Sequence, residues 1–400
     1  MNGIRYHGSV HGEDEIEAVN AVLRGGPEAM RLGANVEEFE KLVAGSFGKQ
    51  RGVMCNSGSS ALELAVELLN LDEGSEVVTP PVTFSTDVAP LVRRGLVPVY
   101  VDIELDTFQI DIGQIEGAIG PKTKAMLIPN LIGNCPDWDQ IRSIADRHDL
   151  LVIEDSCDCL GATLRGRPTG TRSDISVTSF ALSHIITAAG TGGMVVLDDP
   201  TWVDRCLTLR RWGRRSEPRL FGSARGTTRI FSDVDGIEYD DIFIFDEVGW
   251  NFEPNEISAS FGLVQFLKLA QNLERRRRNF ELLSAHFGQR ADVFLVPTQD
   301  ADLITGWQAF PFTIKPDSGI KRSDFQRHME AANIDTRMVW TGNVTRHPAF
   351  RDKPYRVADG GLPNADVVFA SSLIVPCNHG IDDDGISYMC DTIDKFFANG

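Results

Sequence analysis

Apolar and polar positions along the chain follow two alternating rhythms. Short runs rich in aliphatic and β-branched residues are typical of strands, and stretches whose apolar residues recur every three or four positions are typical of amphipathic helices. Strands are predicted at residues 95–103, 125–129, 150–155, 175–180 and 193–197. Helices are predicted at residues 13–23, 36–47, 60–69, 137–148 and 201–211. The alternation predicts an α/β fold.

The strands are nearly continuous in apolar character, which favours a mainly parallel sheet covered by helices on both faces. Ligands of such sheets bind at the carboxyl ends of the strands. Polar residues of this chain collect at those ends, in segments 130–134, 154–155 and 179–184. We therefore expect the functional site at that edge of the sheet.

The chain is expected to form two domains. Residues 214–249 are rich in Gly, Ser, Arg and Asp and have no long period, which predicts an extended loop or insertion. Loops of this length in a compact domain are more often functional than idle. Residues 255–287 predict one long helix or two joined helices. We assign residues 1–260 to a large domain and residues 261–400 to a smaller α+β domain.

Composition narrows the class of protein. The 39 Lys and Arg residues against 57 Asp and Glu give a net charge of −18, which disfavours binding to nucleic acid or to an anionic membrane. No apolar stretch approaches the roughly 20 residues of a membrane span, and the first residues do not resemble a secretory signal. The seven scattered cysteines contain no CxxC pair. These features predict a cytoplasmic enzyme.

A candidate phosphate site opens the predicted helix after residue 57. Gly58, Ser59 and Ser60 offer free backbone N–H groups and hydroxyls at the positive end of a helix dipole. Simple N-capping by Ser59 or Ser60 explains the same residues, and taken alone it is the commoner situation.

Two further segments carry candidate chemistry. Asp155 ends a buried strand and Asp158 follows it, so that either caps the next helix or favours a protonated pyridine-type nitrogen. Ser179 ends another strand and is followed by His184 and a glycine-rich return. A lone histidine is more often part of a core than a catalyst, but the three segments together match a known pattern.

The chain resembles the DegT/DnrJ/EryC1/StrS aminotransferase family, fold-type I enzymes that depend on pyridoxal 5′-phosphate (PLP) and act on nucleotide-linked sugars. The resemblance covers nearly the whole chain, through GEDEIEAVNAVLRGG, SGSSAL, PPVTFS, IPNLIGNCPDW, EDSCDCLGA, SFALSH, GGMVV and GWN. It implies an aspartate aminotransferase-like large domain of three α/β/α layers, with a smaller C-terminal domain.

The resemblance also assigns roles to residues. It implies that Gly58, Ser59, Ser60 and Ser179 hold the cofactor phosphate, that Phe84 stacks on the pyridine ring, and that Asp155 pairs with the ring nitrogen. Asp158 stands where many transaminating members have Gln. Asn251 of GWN matches an asparagine that reaches the cofactor of the neighbouring subunit, which implies a homodimer with shared sites.

The informative departure is His184, which occupies the position of the family's lysine. No lysine occurs between Lys124 and Lys268, so a shifted alignment does not supply one. Lysine bonds covalently to the cofactor aldehyde and then shuttles protons. Imidazole forms no stable bond of that kind but accepts a proton near neutral pH. The cofactor is then expected to be held non-covalently, in its amine form, pyridoxamine 5′-phosphate (PMP).

The same replacement is found in the sugar 3-dehydratase branch of the family. This implies removal of the C3 hydroxyl of a nucleotide-linked 4-keto-6-deoxy sugar, with glutamate as amino donor. One kind of 3-dehydratase also binds an iron–sulfur cluster, but no cysteine occurs between Cys206 and Cys377, so no cluster or other metal is expected. A sugar aminotransferase and a non-catalytic cofactor- or sugar-binding module remain as alternatives.

Two arginine clusters lie outside these motifs. The segment RRWGRR at residues 210–215 is interpreted either as a diphosphate site or as a solvated helix end, with equal weight. The run of four arginines at residues 275–278 is interpreted as a solvated helix face.

Overall fold

The computed structural model describes residues 3–228 and 230–398. Its helices are α1 Glu13–Arg24, α2 Ala34–Ser46, α3 Gly58–Leu68, α4 Ser85–Arg93, α5 Ile112–Ala118, α6 Trp138–Arg147, α7 Pro200–Arg210, α8 Glu217–Leu220, α9 Glu256–Leu267, α10 Leu269–Gly288, α11 Arg322–Ala331, α12 Pro363–Ser371 and α13 Asp383–Ala398. Its strands are β1 Arg51–Cys55, β2 Glu76–Thr79, β3 Val97–Tyr100, β4 Thr123–Pro129, β5 Leu151–Asp155, β6 Thr163–Leu164, β7 Arg167–Pro168, β8 Ile175–Ser179, β9 Gly193–Leu197, β10 Phe231–Val234, β11 Ile237–Asp240, β12 Phe294–Leu295, β13 Leu303–Ile304, β14 Phe310–Ile314, β15 Arg356–Val357 and β16 Ser372–Val375.

The principal sheet of the described chain has eight strands in the order β1-β9-β8-β5-β4-β2-β3-β15. The strands from β8 to β15 pair in parallel, whereas β9 runs antiparallel to both of its neighbours. Strand β8 is buried at every position and β5 at all but its first residue, as expected for strands covered on both faces. The predicted α/β class and mainly parallel sheet are confirmed.

Two hydrophobic clusters cover the two faces of this sheet at its centre. One packs α3 and α7 against it through residues such as Leu64 and Leu207, and the other packs α6 through Trp138. The parallel strands therefore all deliver their carboxyl ends to one edge, where β5 ends at Asp155 and β8 ends at Ser179.

The C-terminal part contains a separate antiparallel sheet in the order β12-β14-β16. An aromatic cluster that includes Phe287, Phe294, Phe312 and Phe325 fills the space between this sheet and helices α10, α11 and α13. The helical stretch after residue 255 is two helices, because α9 ends before Lys268 and α10 begins at Leu269. The domain boundary near residue 260 stays a prediction.

The segment 214–249 is not the extended loop that its composition predicts. It contains the short helix α8 and a hairpin of β10 and β11, joined by the two residues Asp235 and Gly236. Both have positive φ, 53° and 81°, as a tight hairpin turn of this kind requires. Within the described residues, no helix is both long enough and apolar enough to span a membrane.

Candidate active site

A cavity of about 660 Å³ opens at the carboxyl edge of the principal sheet. The ends of β5 and β8, the first turns of α3 and α4, and the segment around Trp340 form its walls. Of the site residues expected from the sequence, those that line it are Gly58, Ser59, Phe84, Asp155, Asp158, Ser179 and His184. The structure therefore brings together segments that lie more than a hundred residues apart, while Ser60 and Asn251 lie outside the lining.

The first turn of α3 forms one end of the cavity. The N-cap is Ser57, whose Oγ accepts a hydrogen bond from the Ser60 amide at 3.1 Å, so neither Ser59 nor Ser60 caps the helix. The Ser60 hydroxyl donates to Asn56 Oδ1 at 2.7 Å and is turned away from the cavity. Ser59 is exposed. The cradle thus consists of the backbone of the first turn and the Ser59 side chain.

Close packing explains the glycine in this turn. A Cβ atom on Gly58 would lie 2.6 Å from Ser179 Cβ and 2.9 Å from Ser179 Oγ. The backbone of α3 therefore lies directly against the end of β8, and the serine hydroxyl is brought to the helix N-terminus. A side chain at residue 58 would fill that space.

Two buried carboxyl groups form another part of the cavity wall. Asp155 is 7% exposed, and its Oδ1 accepts a hydrogen bond from the Cys157 amide at 2.9 Å. Asp87, in the first turn of α4, is 1% exposed and accepts a hydrogen bond from the Thr83 hydroxyl. Burial and the neighbouring charge of Asp155 raise the pKa of Asp87 well above its usual range. The sequence analysis did not identify Asp87.

His184 lies in the loop between β8 and β9. Its Nδ1 is 3.3 Å from Asp158 Oδ1, and its side chain is 18% exposed. The other oxygen of Asp158, Oδ2, accepts hydrogen bonds from the Ile132 amide and the Trp340 Nε1, both at 3.0 Å. Asp158 is therefore fixed by two donors on one oxygen and presents its second oxygen to the imidazole.

Aromatic rings form the mouth of the cavity. Phe84 is 53% exposed and meets Trp340 edge to face, with centroids 6.4 Å apart and an interplanar angle of 84°. Tyr6 meets the same tryptophan at 6.5 Å. Trp340 has a φ of 44°, a left-handed conformation that is strained for a bulky residue and that concentrates at functional sites. No pattern in the sequence indicates this strain.

The arginine run in α10 does not form a solvated face throughout. Arg276 is 2% exposed and donates hydrogen bonds to the carbonyl oxygens of His184 at 3.1 Å, Trp307 at 3.2 Å and Gln308 at 3.0 Å. Its Nε also lies 3.2 Å from His379 Nδ1. The interpretation was wrong because one residue per helical turn points inward, whatever its charge.

The cluster at residues 210–215 is also used internally. Arg210 is 2% exposed, donates to the Met54 carbonyl at 2.7 Å and pairs with Glu40 at 3.3 Å. Arg211 pairs with Glu253 at 3.0 Å. Arg210 is therefore buried rather than solvated, and neither Arg210 nor Arg211 is free to receive a diphosphate, because carboxylates and carbonyls already occupy them.

Asn251 lies beside this cluster, in an isolated β-bridge with Arg211, and its side chain is exposed. The next residue, Phe252, connects it to the start of the cradle, because the Asn56 amide donates to the Phe252 carbonyl at 3.0 Å.

These features fit a flat cationic ring that carries a phosphate. The first turn of α3 offers an anion site whose space depends on the missing side chain at Gly58. The buried carboxyl groups on the other side favour a cationic partner such as a protonated ring nitrogen. The exposed ring of Phe84 offers an apolar surface between them. A cavity so equipped, at the carboxyl edge of an aminotransferase-like sheet, defines the class of PLP-dependent enzymes.

The chain belongs to the DegT/DnrJ/EryC1/StrS aminotransferase family, whose model matches residues 10–394. It is 35% identical to a dTDP-4-dehydro-2,6-dideoxy-D-glucose 3-dehydratase of Saccharopolyspora spinosa, over 99% of this chain and 87% of that protein. It is 29% identical to a GDP-perosamine synthase of Caulobacter vibrioides, over 91% of this chain and 90% of that protein.

Among solved structures, a GDP-4-keto-6-deoxymannose-3-dehydratase with a trapped PLP–glutamate geminal diamine matches with a TM-score of 0.87 at 30% identity, covering 97% of this chain and 99% of that one. The predicted family, fold and PLP or PMP cofactor are confirmed. The predicted function is confirmed at the level of a PLP-dependent, sugar-modifying enzyme.

Proposed function

We propose that this protein is a PLP/PMP-dependent dehydratase that removes the C3 hydroxyl of a nucleotide-linked 4-keto-6-deoxy sugar, with His184 as the base. The observation that carries the proposal is an imidazole, paired with a carboxylate, in the cavity where the family resemblance places a lysine. Among the described residues that line this cavity there is no lysine. The 3-dehydratase relatives add support.

The cofactor is held by residues of this chain at three places. The backbone at Gly58 and the hydroxyls of Ser59 and Ser179 would bind its phosphate, Phe84 would stack on its ring, and Asp155 would bind its ring nitrogen. Ser60 contributes to the cradle only by supporting it, because its hydroxyl is bonded to Asn56. When bound, the cofactor supplies an amino group that condenses with a keto sugar and a ring that accepts electrons from the reacting carbon.

His184 moves the proton. Nδ1 lies 3.3 Å from Asp158 Oδ1, an ion-pair distance, and the neutral imidazole would accept the proton at its unprotonated ring nitrogen. Asp158 also stabilises the imidazolium that results. The imidazolium would then give its proton to the C3 hydroxyl of the sugar, which would leave as water. Imidazole does not tether the cofactor as lysine does, so we expect a non-covalent complex with glutamate as the amino donor.

Asn251 is proposed to serve the site of a second subunit in a homodimer. Its side chain is exposed and lies outside the cavity of its own chain, as this role requires. Exposed apolar side chains in the neighbouring insertion, such as Ile237, Phe243 and Val248, give such a dimer apolar surface to bury.

A sugar aminotransferase is the second candidate function, since the GDP-perosamine synthase relative and the family description both favour it. The two functions differ in product. A dehydratase releases a 3-deoxy keto sugar, one oxygen atom lighter than the substrate, together with ammonia, whereas an aminotransferase releases an amino sugar.

The test incubates the protein with PLP, glutamate and a panel of nucleotide-linked 4-keto sugars. Formation of 2-oxoglutarate and the product mass are followed together. The proposal expects a keto sugar that is one oxygen atom lighter than the substrate, released together with ammonia, and it expects this product to be lost in a His184→Asn variant that still binds PMP. An amino sugar establishes the aminotransferase, and no turnover with any sugar of the panel contradicts both enzymatic functions.

A further inference from the structure

One carboxyl group in the cavity has no role in the proposed chemistry. Asp87 lies in the first turn of α4, where an acidic residue commonly stabilises the helix dipole. That explanation accounts for an exposed carboxylate, but this side chain is 1% exposed and lines the cofactor cavity. Its Oδ1 is buried and accepts no hydrogen bond from the donors that the structure describes.

The partner of Asp87 is the acid expected to bind the cofactor's ring nitrogen. Asp87 and Asp155 are both buried and line the same cavity, and the charge of Asp155 raises the pKa of Asp87. Two buried negative charges side by side repel strongly, and one proton shared between the two carboxyl groups removes that repulsion. The pair therefore holds one proton.

The surroundings decide which carboxyl carries it. Asp155 accepts a backbone N–H from Cys157 at 2.9 Å, which favours its ionised form. Among the described donors, Asp87 accepts only the Thr83 hydroxyl. Burial raises the pKa of both carboxyl groups, and that of Asp87 is raised well above its usual range. The other titratable groups that face the pair are Asp158, the Cys157 thiol and, beyond Asp158, the imidazole of His184. A negative Asp158 adds further pressure to keep the pair singly charged.

We propose that Asp87 is a positioning residue, whose protonated carboxyl donates a hydrogen bond to Asp155 and holds that carboxylate ionised and oriented toward the ring nitrogen. The inference rests on the proposed function, in that it assigns Asp155 to the nitrogen. It predicts that a neutral side chain with a hydrogen-bond donor at position 87 preserves PMP binding, and that a neutral side chain without a donor weakens it.

Asp87 also connects the proposed site of the ring nitrogen to the C-terminal part of the chain, through Thr83. The Thr341 hydroxyl donates to the Thr83 carbonyl at 2.7 Å, and the Thr83 hydroxyl donates to Asp87. Thr341 follows Trp340, which binds Asp158. The segment that contains Trp340 and Thr341 therefore fixes Asp158 beside His184. Through Thr83 it also supports Asp87.

The test measures equilibrium binding of PMP to the cofactor-free protein by fluorescence titration. Asp87→Asn keeps a neutral donor, and Asp87→Leu has nearly the same shape without one. We expect the dissociation constant of Asp87→Asn to stay within about twofold of the wild-type value, and that of Asp87→Leu to rise about tenfold, as for the loss of a hydrogen bond to a charged group. Thermal unfolding of the cofactor-free variants checks that both fold.

A second measurement compares wild type with Asp87→Asn, a substitution that keeps the shape of the side chain. The infrared difference spectrum of wild type minus Asp87→Asn is expected to show the carbonyl stretch of a protonated carboxyl group at neutral pH. Absence of that band overturns the inference, as do equal dissociation constants for the two variants. If wild type binds PMP but the infrared band is absent or the two dissociation constants are equal, the inference is wrong and the proposed function stands. If wild type does not bind PMP, the proposed function and the inference fail together.

Discussion

Replacing Arg276 with methionine tests the most unusual buried charge in the structure. The guanidinium donates to three main-chain carbonyls, of His184, Trp307 and Gln308, and contacts the ring of His379. Methionine fills much of the same volume but donates nothing. Each buried acceptor left without a partner costs about 1–3 kcal/mol.

One opposing effect reduces the total cost of leaving these acceptors unpaired. Burial disfavours the charged guanidinium, and it lowers the pKa of Arg276 to about 10, so removing the charge recovers part of its desolvation cost. We expect Arg276→Met to lower the free energy of unfolding by about 3 kcal/mol. Denaturation by urea, followed by circular dichroism and tryptophan fluorescence, measures the difference.

The adjacent arginine supplies a matched control. The side chain of Arg277 is 42% exposed and pairs with Glu274 and Glu281 on the helix surface. Surface pairs of this kind contribute about 0–1 kcal/mol, so Arg277→Met should change little. Equal destabilisation by the two substitutions would refute the assignment of Arg276 as a structural centre and restore the interpretation of a solvated face.

Three shorter predictions follow. His184→Lys should form a covalent, borohydride-reducible adduct with PLP, detected by mass spectrometry; the same adduct in wild type would contradict the role given to His184. Gly58→Ala should weaken PMP binding in a titration at least tenfold, because its Cβ would lie 2.6 Å from Ser179. Burial alone would raise the pKa of Glu15, but hydrogen bonds from Lys268 and others hold it at about 2, below its ordinary 4.5. Its stabilisation is therefore present above pH 4.5 and lost toward pH 2, so wild type and Glu15→Gln should converge in acid unfolding.

The pattern of apolar and polar residues was sufficient to predict the strands around the site. The predicted strand at residues 193–197 coincides with β9, and the predicted ends of β5 and β8 lie within one residue of those in the structure. These strands are buried on both faces, so their apolar runs are unbroken and bounded by polar residues. Strand β2, with four residues, was missed because so short a run has no distinctive period.

Composition was misleading where a tertiary contact overrides the local pattern. The insertion was expected to be a loop because it is polar and rich in glycine, yet Asp235 and Gly236 are a two-residue hairpin signal that was overlooked. The burial of Arg276 depends on three carbonyl groups from distant segments, and no local pattern contains that information.

Most of the expected site residues lie at the carboxyl edge of the sheet, as the sequence analysis placed them, while their roles stay predictions. Seven expected residues line one cavity, whereas Ser60 turns its hydroxyl inward because Ser57 is the N-cap. Asp87 and Trp340 were missed, since the importance of each arises from a contact across the fold, to Asp155 and to Asp158.

The guanidinium of Arg276 has a consequence for protein engineering. It joins the main chain at His184 to residues 307–308, so His184 is anchored by a part of the chain that follows it by more than a hundred positions. A chimera that exchanges C-terminal segments between relatives would transplant this anchor along with any change of sugar preference. Recombination points placed after residue 308 keep Arg276 and residues 307–308 from the original protein. The exchange then changes the part of the cavity wall that lies around Trp340.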